Sequence, residues 1–512
     1  VLFDLARTDP DALALDDGTR RRTRAELADR VTRTGRHLLD ACRVPPGGHV
    51  ATVLANRAEA VEVILAGTVA GLWVTAVNRH LTAEEVAFVL ADSGASVVVC
   101  DPEHESVVRA AATGGHGGGP EVAVVGEDWE AALAAAGDEP FDLDGPAGGT
   151  MLYTSGTTGR PKGVKRSRPA RLGAALAAQS TYGQTLGLDG RGPHLVTGPL
   201  YHAAPLGFAL MDLHLGAAMV VEERFDAVRT LELIDAHEVR ATHLVPTMFV
   251  RLLRLPEAVR EAFDGSSLRT VLHGAAPIAP STKRSMIDWW GPVLVEYWGA
   301  SEGGVVTLVG SEDWLAHPGT VGRAIGSYEV VAVDAEGQPV PAGETGRLWC
   351  RTGRQGTAFE YHGDEAKTSA AHPAPGTYTI GDIGRVDDEG WVFLSDREAN
   401  TIISGGVNIY PAEIEAVLIG HPAVADVGVL GVPDDEWGES VLAVVQLRDG
   451  WTAGDELEAS LLAHARAHLA GFKVPRRFDV VDELPRLPTG KLLTRVLRER
   501  YADDPDRGIG AA

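Results

Sequence analysis

The sequence predicts an α/β protein: a large N-terminal domain of parallel-type sheets with covering helices, carrying a small β-rich subdomain, followed by a smaller α+β C-terminal domain. Three observations predict it. Strand-like apolar runs alternate with helical patterns through the first two thirds of the chain, as in parallel sheets joined by crossover helices. From about residue 320 the pattern changes to short strands broken by turn signals, and after Asp396 a mixed pattern of helices and strands starts again. At 512 residues the chain also exceeds what one hydrophobic core serves.

Each element has its own signal. Strands are read at HVATVL (49–54), SVVVC (96–100), GTMLYT (149–154), AAMVVE (217–222), ATHLVP (241–246) and RTVLHG (269–274), with helical stretches such as AEAVEVILAGTVAG between them. The apolar run VILAGTVAGLWVTAV (63–77) falls short of the roughly 20 residues a spanning helix needs and reads as a buried helix, turn and strand. YEVVAVDAEGQPV, GRLWCR and GRVDDEGWVFL form the β-rich subdomain at about 320–395, with DDEG as a hairpin turn. IEAVLIG, VADVGVLGV, VLAVVQL and ELEASLLAHARAHL make the last domain, so the expected division is 1–395 and 396–512. GGHGGGP (114–120) reads as loop.

Composition narrows the function. A formal net charge of −25 argues against a general nucleic-acid surface, while leaving room for a local basic loop that takes an anionic ligand. Cys42, Cys100 and Cys350 are too few and too scattered for a disulfide framework, a zinc ribbon or an iron–sulfur site, and they suit a reducing cytoplasm. No signal peptide or transmembrane segment is read.

The chemistry gathers first in YTSGTTGRPKGVKR (153–166), directly after an apolar strand. Backbone N–H groups and the hydroxyls of Thr154, Ser155, Thr157 and Thr158, with Gly156 and Gly159 between them, can wrap phosphate oxygens while Lys162 supplies charge. A loop of this composition is also a common linker, but its place after a strand is where α/β proteins bind ligands. It is not a Walker A loop, because Pro161 precedes Lys162 and Gly163 follows it. YTSGTTGRPKGV resembles the phosphate loop of the adenylate-forming enzymes: acyl-CoA synthetases, luciferases and the adenylation domains of peptide synthetases.

Further motifs follow in that family's order over nearly the whole chain. HGAAP (273–277), with Gly274, Ala275 and Ala276, is similar to its adenine-side strand end. EYWGASE (296–302) resembles its Tyr-Gly-x-Thr-Glu segment. By that resemblance Tyr297 and Trp298 lie on the adenine side, Ser301 replaces the usual threonine near the phosphates, and Glu302 holds magnesium together with Thr157. TIGDIGRVDDEGWVFLSDR (379–397) resembles the ribose-binding segment, in which Asp382 accepts from the ribose hydroxyls and Ile380 replaces a threonine. Arg397 would reach the nucleotide, and Asp396 would be a hinge that makes the C-terminal domain mobile. Gly405 and Gly406 resemble the loop that lets the pantetheine thiol approach. PRLPTGKLLTR (485–495) resembles the closing segment whose lysine, here Lys491, contacts the carboxylate and α-phosphate.

The resemblance implies an AMP-forming ligase. An acid attacks the α-phosphate of MgATP to give acyl-adenylate and pyrophosphate, and coenzyme A then displaces AMP. Lys491, Glu302, Lys162 and His202 are the expected catalytic set. LYHAAPLGFAL (200–210) falls where the family lines its acid pocket, so His202, Leu206, Gly207, Met248, His273, Ala300 and Val305 are the expected walls. None offers a carboxylate for an α-ammonium group, which favours a fatty or aryl acid over an amino acid. Three alternatives stay open: loading of a carrier-protein thiol, ATP-dependent nitrite activation that diazotises an arylamine, and a non-catalytic nucleotide-binding scaffold. A homo-oligomer is compatible with all of them.

Overall fold

Apolar runs bounded by turn residues become the strands of four sheets. The computed structural model describes residues 1–113, 119–154, 161–353, 356–397, 400–404, 407–434, 437–487 and 490–502. Five parallel strands, Gly149–Thr154, Trp73–Ala76, His49–Val53, Ala95–Cys100 and Glu121–Val124, lie side by side in a seven-stranded sheet. Lys162–Arg166 and Phe359–Tyr361 extend its Gly149–Thr154 edge in antiparallel fashion. The run at 63–77 resolves into helix Ala58–Val69, a turn through Gly71, and strand Trp73–Ala76. Every residue of that helix is buried, its two carboxylates included: Glu59 is paired with Arg20 and Arg57, and Glu62 with Arg22 and Arg30. Among the described residues no helix is long and apolar enough to cross a membrane.

In the nine-stranded sheet, parallel strands Leu13–Asp16, Met219–Val221, His194–Val196, Ala241–Leu244, Thr270–His273 and Leu294–Ala300 follow one another. Leu294–Ala300 then turns back as Gly304–Gly310, so residues 301–303 form a tight turn at the C-terminal end of the sheet. Ligands of open α/β sheets bind outside such strand ends. Glu296, on this same strand, is tied at 2.5 Å to the wholly buried ammonium of Lys283, which also stands 4.7 Å from the Trp314 ring centroid.

The small antiparallel sheet contains Tyr328–Val333, Thr345–Thr352, Asp382–Val386 and Val392–Arg397, and the DDEG sequence makes the expected hairpin turn, Asp387 N donating to Trp391 O at 3.0 Å. Residues from 402 onward build a last sheet on Val424–Asp434, Gly438–Leu447 and Arg477–Val481, with helices Pro411–Leu418 and Asp455–His468. Its buried clusters, one around Ile402, Ile414 and Val429 and one around Leu430, Leu484 and Tyr501, draw only on residues of this segment. The α/β fold class read from the pattern is therefore borne out, with strand ends shifted by one or two residues where tight turns begin.

Candidate active site

A cavity of about 740 Å³ opens where the C-terminal strand ends of the two large sheets meet the C-terminal segment. Its walls bring together Thr154 from the first sheet, Ala300, Ser301 and Glu302 from the turn after Leu294–Ala300, His202 at the start of helix Ala203–Leu215, and Lys491. Residues more than 300 positions apart are thus joined by topology. The Glu302 carboxylate accepts from the Tyr361 hydroxyl at 3.2 Å, and Lys367, whose ammonium lies 4.4 Å from the Tyr361 ring centroid, also lines the space.

His202 packs its ring 4.7 Å from Tyr201, and its buried Nε2 has no hydrogen-bond partner among the described residues. Burial, and secondarily the charge of Lys491, push its pKa down to about 4, so the ring is neutral at pH 7. An orphaned polar atom beside a cation is fitted to an oxygen ligand that arrives from outside the protein.

The remaining expected residues divide three ways. Ser155, Gly156, Thr157, Thr158, Gly159, Gly405 and Gly406 lie outside the described residues, as does the side chain of Arg397. Ala275 lines the cavity in a left-handed conformation (φ 64°), uncommon for a residue with a Cβ. A Cβ at Gly274 would come within 2.6 Å of the Tyr297 carbonyl, so only glycine lets the two backbones approach this closely. Ala276, next along this turn, is half-buried. Tyr297 lines the cavity and shares a 3.0 Å hydrogen bond with His243 Nε2, its ring edge-on to Phe208 at 5.1 Å.

Asp382 is buried and accepts the Trp298 indole N–H at 2.6 Å. Trp298, expected against adenine, is packed among Val164, Val306 and Tyr378 behind the cavity wall. Lys162 is ion-paired with Asp364. Asp396 sits in the strand paired with Asp382–Val386, and its Oδ2 accepts from Ala412 N at 2.9 Å.

Of the residues expected to wall an acid pocket, Gly207, Met248, Ala300, Val305 and His202 line the cavity. Leu206 and His273 do not, and both expectations are corrected. Helix Ala203–Leu215 presents 203, 204, 205, 207, 208 and 211 to the cavity, whereas Leu206 turns into the core with Leu210 and Leu213. His273 is fully buried against Phe249 on the far side of its strand. Sequence reading missed Tyr182, Phe208, Met211, His243 and Arg166, all in the wall. The alternation at the end of strand Ala241–Leu244 carried a readable signal, since His243 and Val245, the residue just beyond it, both face the cavity. Burial pushes His243 down to about 3, so this ring is neutral too.

The AMP-binding enzyme family matches residues 2–361, and the AMP-binding enzyme C-terminal domain matches residues 413–491. The chain belongs to the AMP-binding enzyme family. It is 35% identical over 503 residues to a feruloyl-CoA synthase of an Amycolatopsis species, covering 97% of each chain. Against the long-chain-fatty-acid–CoA ligase FadD13 of Mycobacterium tuberculosis it is 31% identical over 481 residues, covering 91% of this chain and 90% of that one. Its fold superposes on o-succinylbenzoate CoA synthetase from Bacillus subtilis in complex with an acyl-adenylate intermediate, with a TM-score of 0.81 and 28% identity, covering 99% of this chain and 98% of that one. The resemblance read from the motifs is borne out over both matched regions. So is the reaction class read with it, an ATP-dependent, AMP-forming acid–coenzyme A ligase.

Proposed function

We propose that this family member activates an aryl or fatty carboxylic acid with ATP inside the 740 Å³ cavity and then passes the acyl group to coenzyme A. The observation that carries the reading is the convergence of Lys491 with His202, Ser301, Glu302 and Thr154 on one cavity. The first step joins two anions, so its barrier is charge repulsion plus orientation. Lys491 supplies positive charge where the attacking carboxylate and the α-phosphate meet. Neutral His202 offers its unpartnered Nε2 to a carboxylate oxygen and adds no competing charge. The Trp298 N–H fixes the orientation of Asp382, which is suited to bidentate acceptance from ribose hydroxyls. Lys162 would exchange Asp364 for phosphate oxygens.

Glu302 and the Thr154 hydroxyl are hard oxygen donors lining the same cavity, a donor type that fits magnesium, and Glu302 would hold it with Thr157; the ion neutralises polyphosphate charge when bound. The thiol step, in this reading, uses Gly405 and Gly406 after residues 396–512 turn about Asp396 relative to residues 1–395. Separate buried clusters on the C-terminal side support such a rigid-body movement.

The walls near Tyr297 are aromatic and sulfur-bearing, with Phe208, Met211 and Met248, and the carboxylate among the described lining residues is Glu302. That set suits an apolar or aryl acyl group and offers nothing to an α-ammonium. The test is a panel of aryl, fatty and amino acids scored by pyrophosphate release and by thioester mass with coenzyme A. Pyrophosphate and a coenzyme A thioester from an aryl or fatty acid are the expected result. Release with amino acids alone, or thioester only on a carrier protein, would overturn the reading.

A further inference from the structure

Arg166 is a cation in the cavity wall that the ligase chemistry above does not use. It closes strand Lys162–Arg166, its guanidinium lies with the Tyr182 hydroxyl against Gly304, and it has no carboxylate partner among the described residues. The place is built. Tyr182 Oη accepts from Val305 N and donates to Val305 O, both at 2.9 Å, which fixes the phenol against the acid-side wall. Gly304, in a left-handed conformation (φ 76°), lets the guanidinium lie against the backbone; a Cβ there would come within 3.0 Å of Arg166 Cζ and 3.3 Å of the Tyr182 hydroxyl.

The other two cations of the cavity are engaged differently. Lys367 faces Glu302 and Asp364, and Lys491 lies where its charge reaches His202. Arg166 lies against Gly304 beside the Tyr182 hydroxyl, on the wall that Val305 forms, whereas Lys491 acts on His202. A plain hydrocarbon tail laid along this wall would strip water from an unpaired cation and give nothing back.

We propose that Arg166, beside Tyr182, is the anchor for a second anionic group on the acid, so that the preferred substrate carries a carboxylate or comparable anion away from the carboxyl group being activated. This rests on the proposed activation of an organic acid in this cavity. The same anion chemistry could come from a phosphate of coenzyme A, and the experiment separates the two sources.

Pyrophosphate release is measured with the full chain and ATP, without coenzyme A, for the matched pairs benzene-1,4-dicarboxylate against 4-methylbenzoate and octanedioate against octanoate. The wild type should favour the diacid of at least one pair by about 10-fold or more in kcat/KM, a figure discounted because Arg166 is solvent-accessible. Arg166→Met should bring that ratio to one or below, Arg166→Lys should restore part of it, and Tyr182→Phe should weaken it. Melting temperatures of the variants identify any that have lost the fold, and Arg166→Lys then carries the test. Equal ratios in wild type and Arg166→Met would overturn the proposal. Thioester formation from prepared acyl-adenylate and coenzyme A is measured alongside, and a defect of Arg166→Met confined to that step would also overturn it, assigning the cation to the thiol donor. If no acid of either kind releases pyrophosphate, the activation reading itself fails and the subsite falls with it.

Discussion

Gly490 offers a sharp test of how the C-terminal segment is seated. It occupies a left-handed conformation (φ 79°) in the turn that carries Lys491, with its N–H on Leu487 O at 2.7 Å and its carbonyl accepting from Arg486 Nη1 at 2.8 Å. A Cβ placed there would overlap the Thr247 hydroxyl and come within 2.7 Å of Thr247 Cγ2, across the contact between the C-terminal segment and helix Pro246–Leu253. In Gly490→Ala the left-handed backbone costs about 1–2 kcal/mol, and the overlap costs about 1–3 kcal/mol. Taking about 3 kcal/mol together, the seated arrangement becomes about 100-fold less populated, because each 1.4 kcal/mol is a factor of ten. Acyl-adenylate formation, measured as pyrophosphate release, should fall by that factor. Thioester formation from chemically prepared acyl-adenylate should fall far less, since the proposed thiol arrangement uses another face of the same domain. Adding Thr247→Ala removes the overlap but not the strain, so it should recover about 10-fold. Equal losses in both half-reactions, or an undiminished adenylation rate, would refute the reasoning.

Four further outcomes are expected. Lys491→Ala should nearly abolish adenylation while still converting prepared acyl-adenylate and coenzyme A to thioester; loss of both steps alike would speak for one static site. Glu302→Gln should slow adenylation by about 10²-fold, the scale for one preorganised electrostatic contact, and a wild-type rate would remove Glu302 from the mechanism. Asp396→Pro fixes φ at the proposed hinge, so adenylate should still form while thioester output drops, read by quenched-flow mass spectrometry of the two products. Lys283→Met leaves the Glu296 carboxylate buried without its 2.5 Å partner and should destabilise the fold by about 3–5 kcal/mol in urea denaturation, with Lys283→Met/Glu296→Gln recovering most of it.

The fold was legible because its signals are local. Each parallel strand is a short apolar run whose ends are set by Gly, Pro or charged residues, and the DDEG turn announced its own hairpin. The convergence of Ser301, Glu302 and Lys491 on one cavity was legible for a different reason, since these residues sit at fixed offsets in short motif segments. The acid side was not. Its wall is assembled from helices Leu172–Thr185, Ala203–Leu215 and Pro246–Leu253 and from four strands, and which residue of each faces inward depends on a rotation that sequence spacing leaves free. Leu206 and Gly207 are neighbours, yet one is core and the other wall. Trp298 shows the same dependence, because strand alternation sends its ring behind the wall that Tyr297 faces and onto Asp382.

The seven-stranded sheet has a consequence for the order of events during synthesis. The strand that follows the hydroxyl-rich loop, Lys162–Arg166, is completed on its outer side by Phe359–Tyr361, almost 200 residues later, and strand Leu13–Asp16 waits for Met219–Val221. Neither edge can close until those partners have left the ribosome, which at about 5–20 residues per second is a delay of roughly ten seconds or more. During that interval the edge of Lys162–Arg166 presents unpaired backbone groups, a template for pairing with another nascent chain. The three cationic side chains along it, Lys162, Lys165 and Arg166, repel a second copy of the same edge, so the charges of this strand also guard the growing chain against association before it is finished.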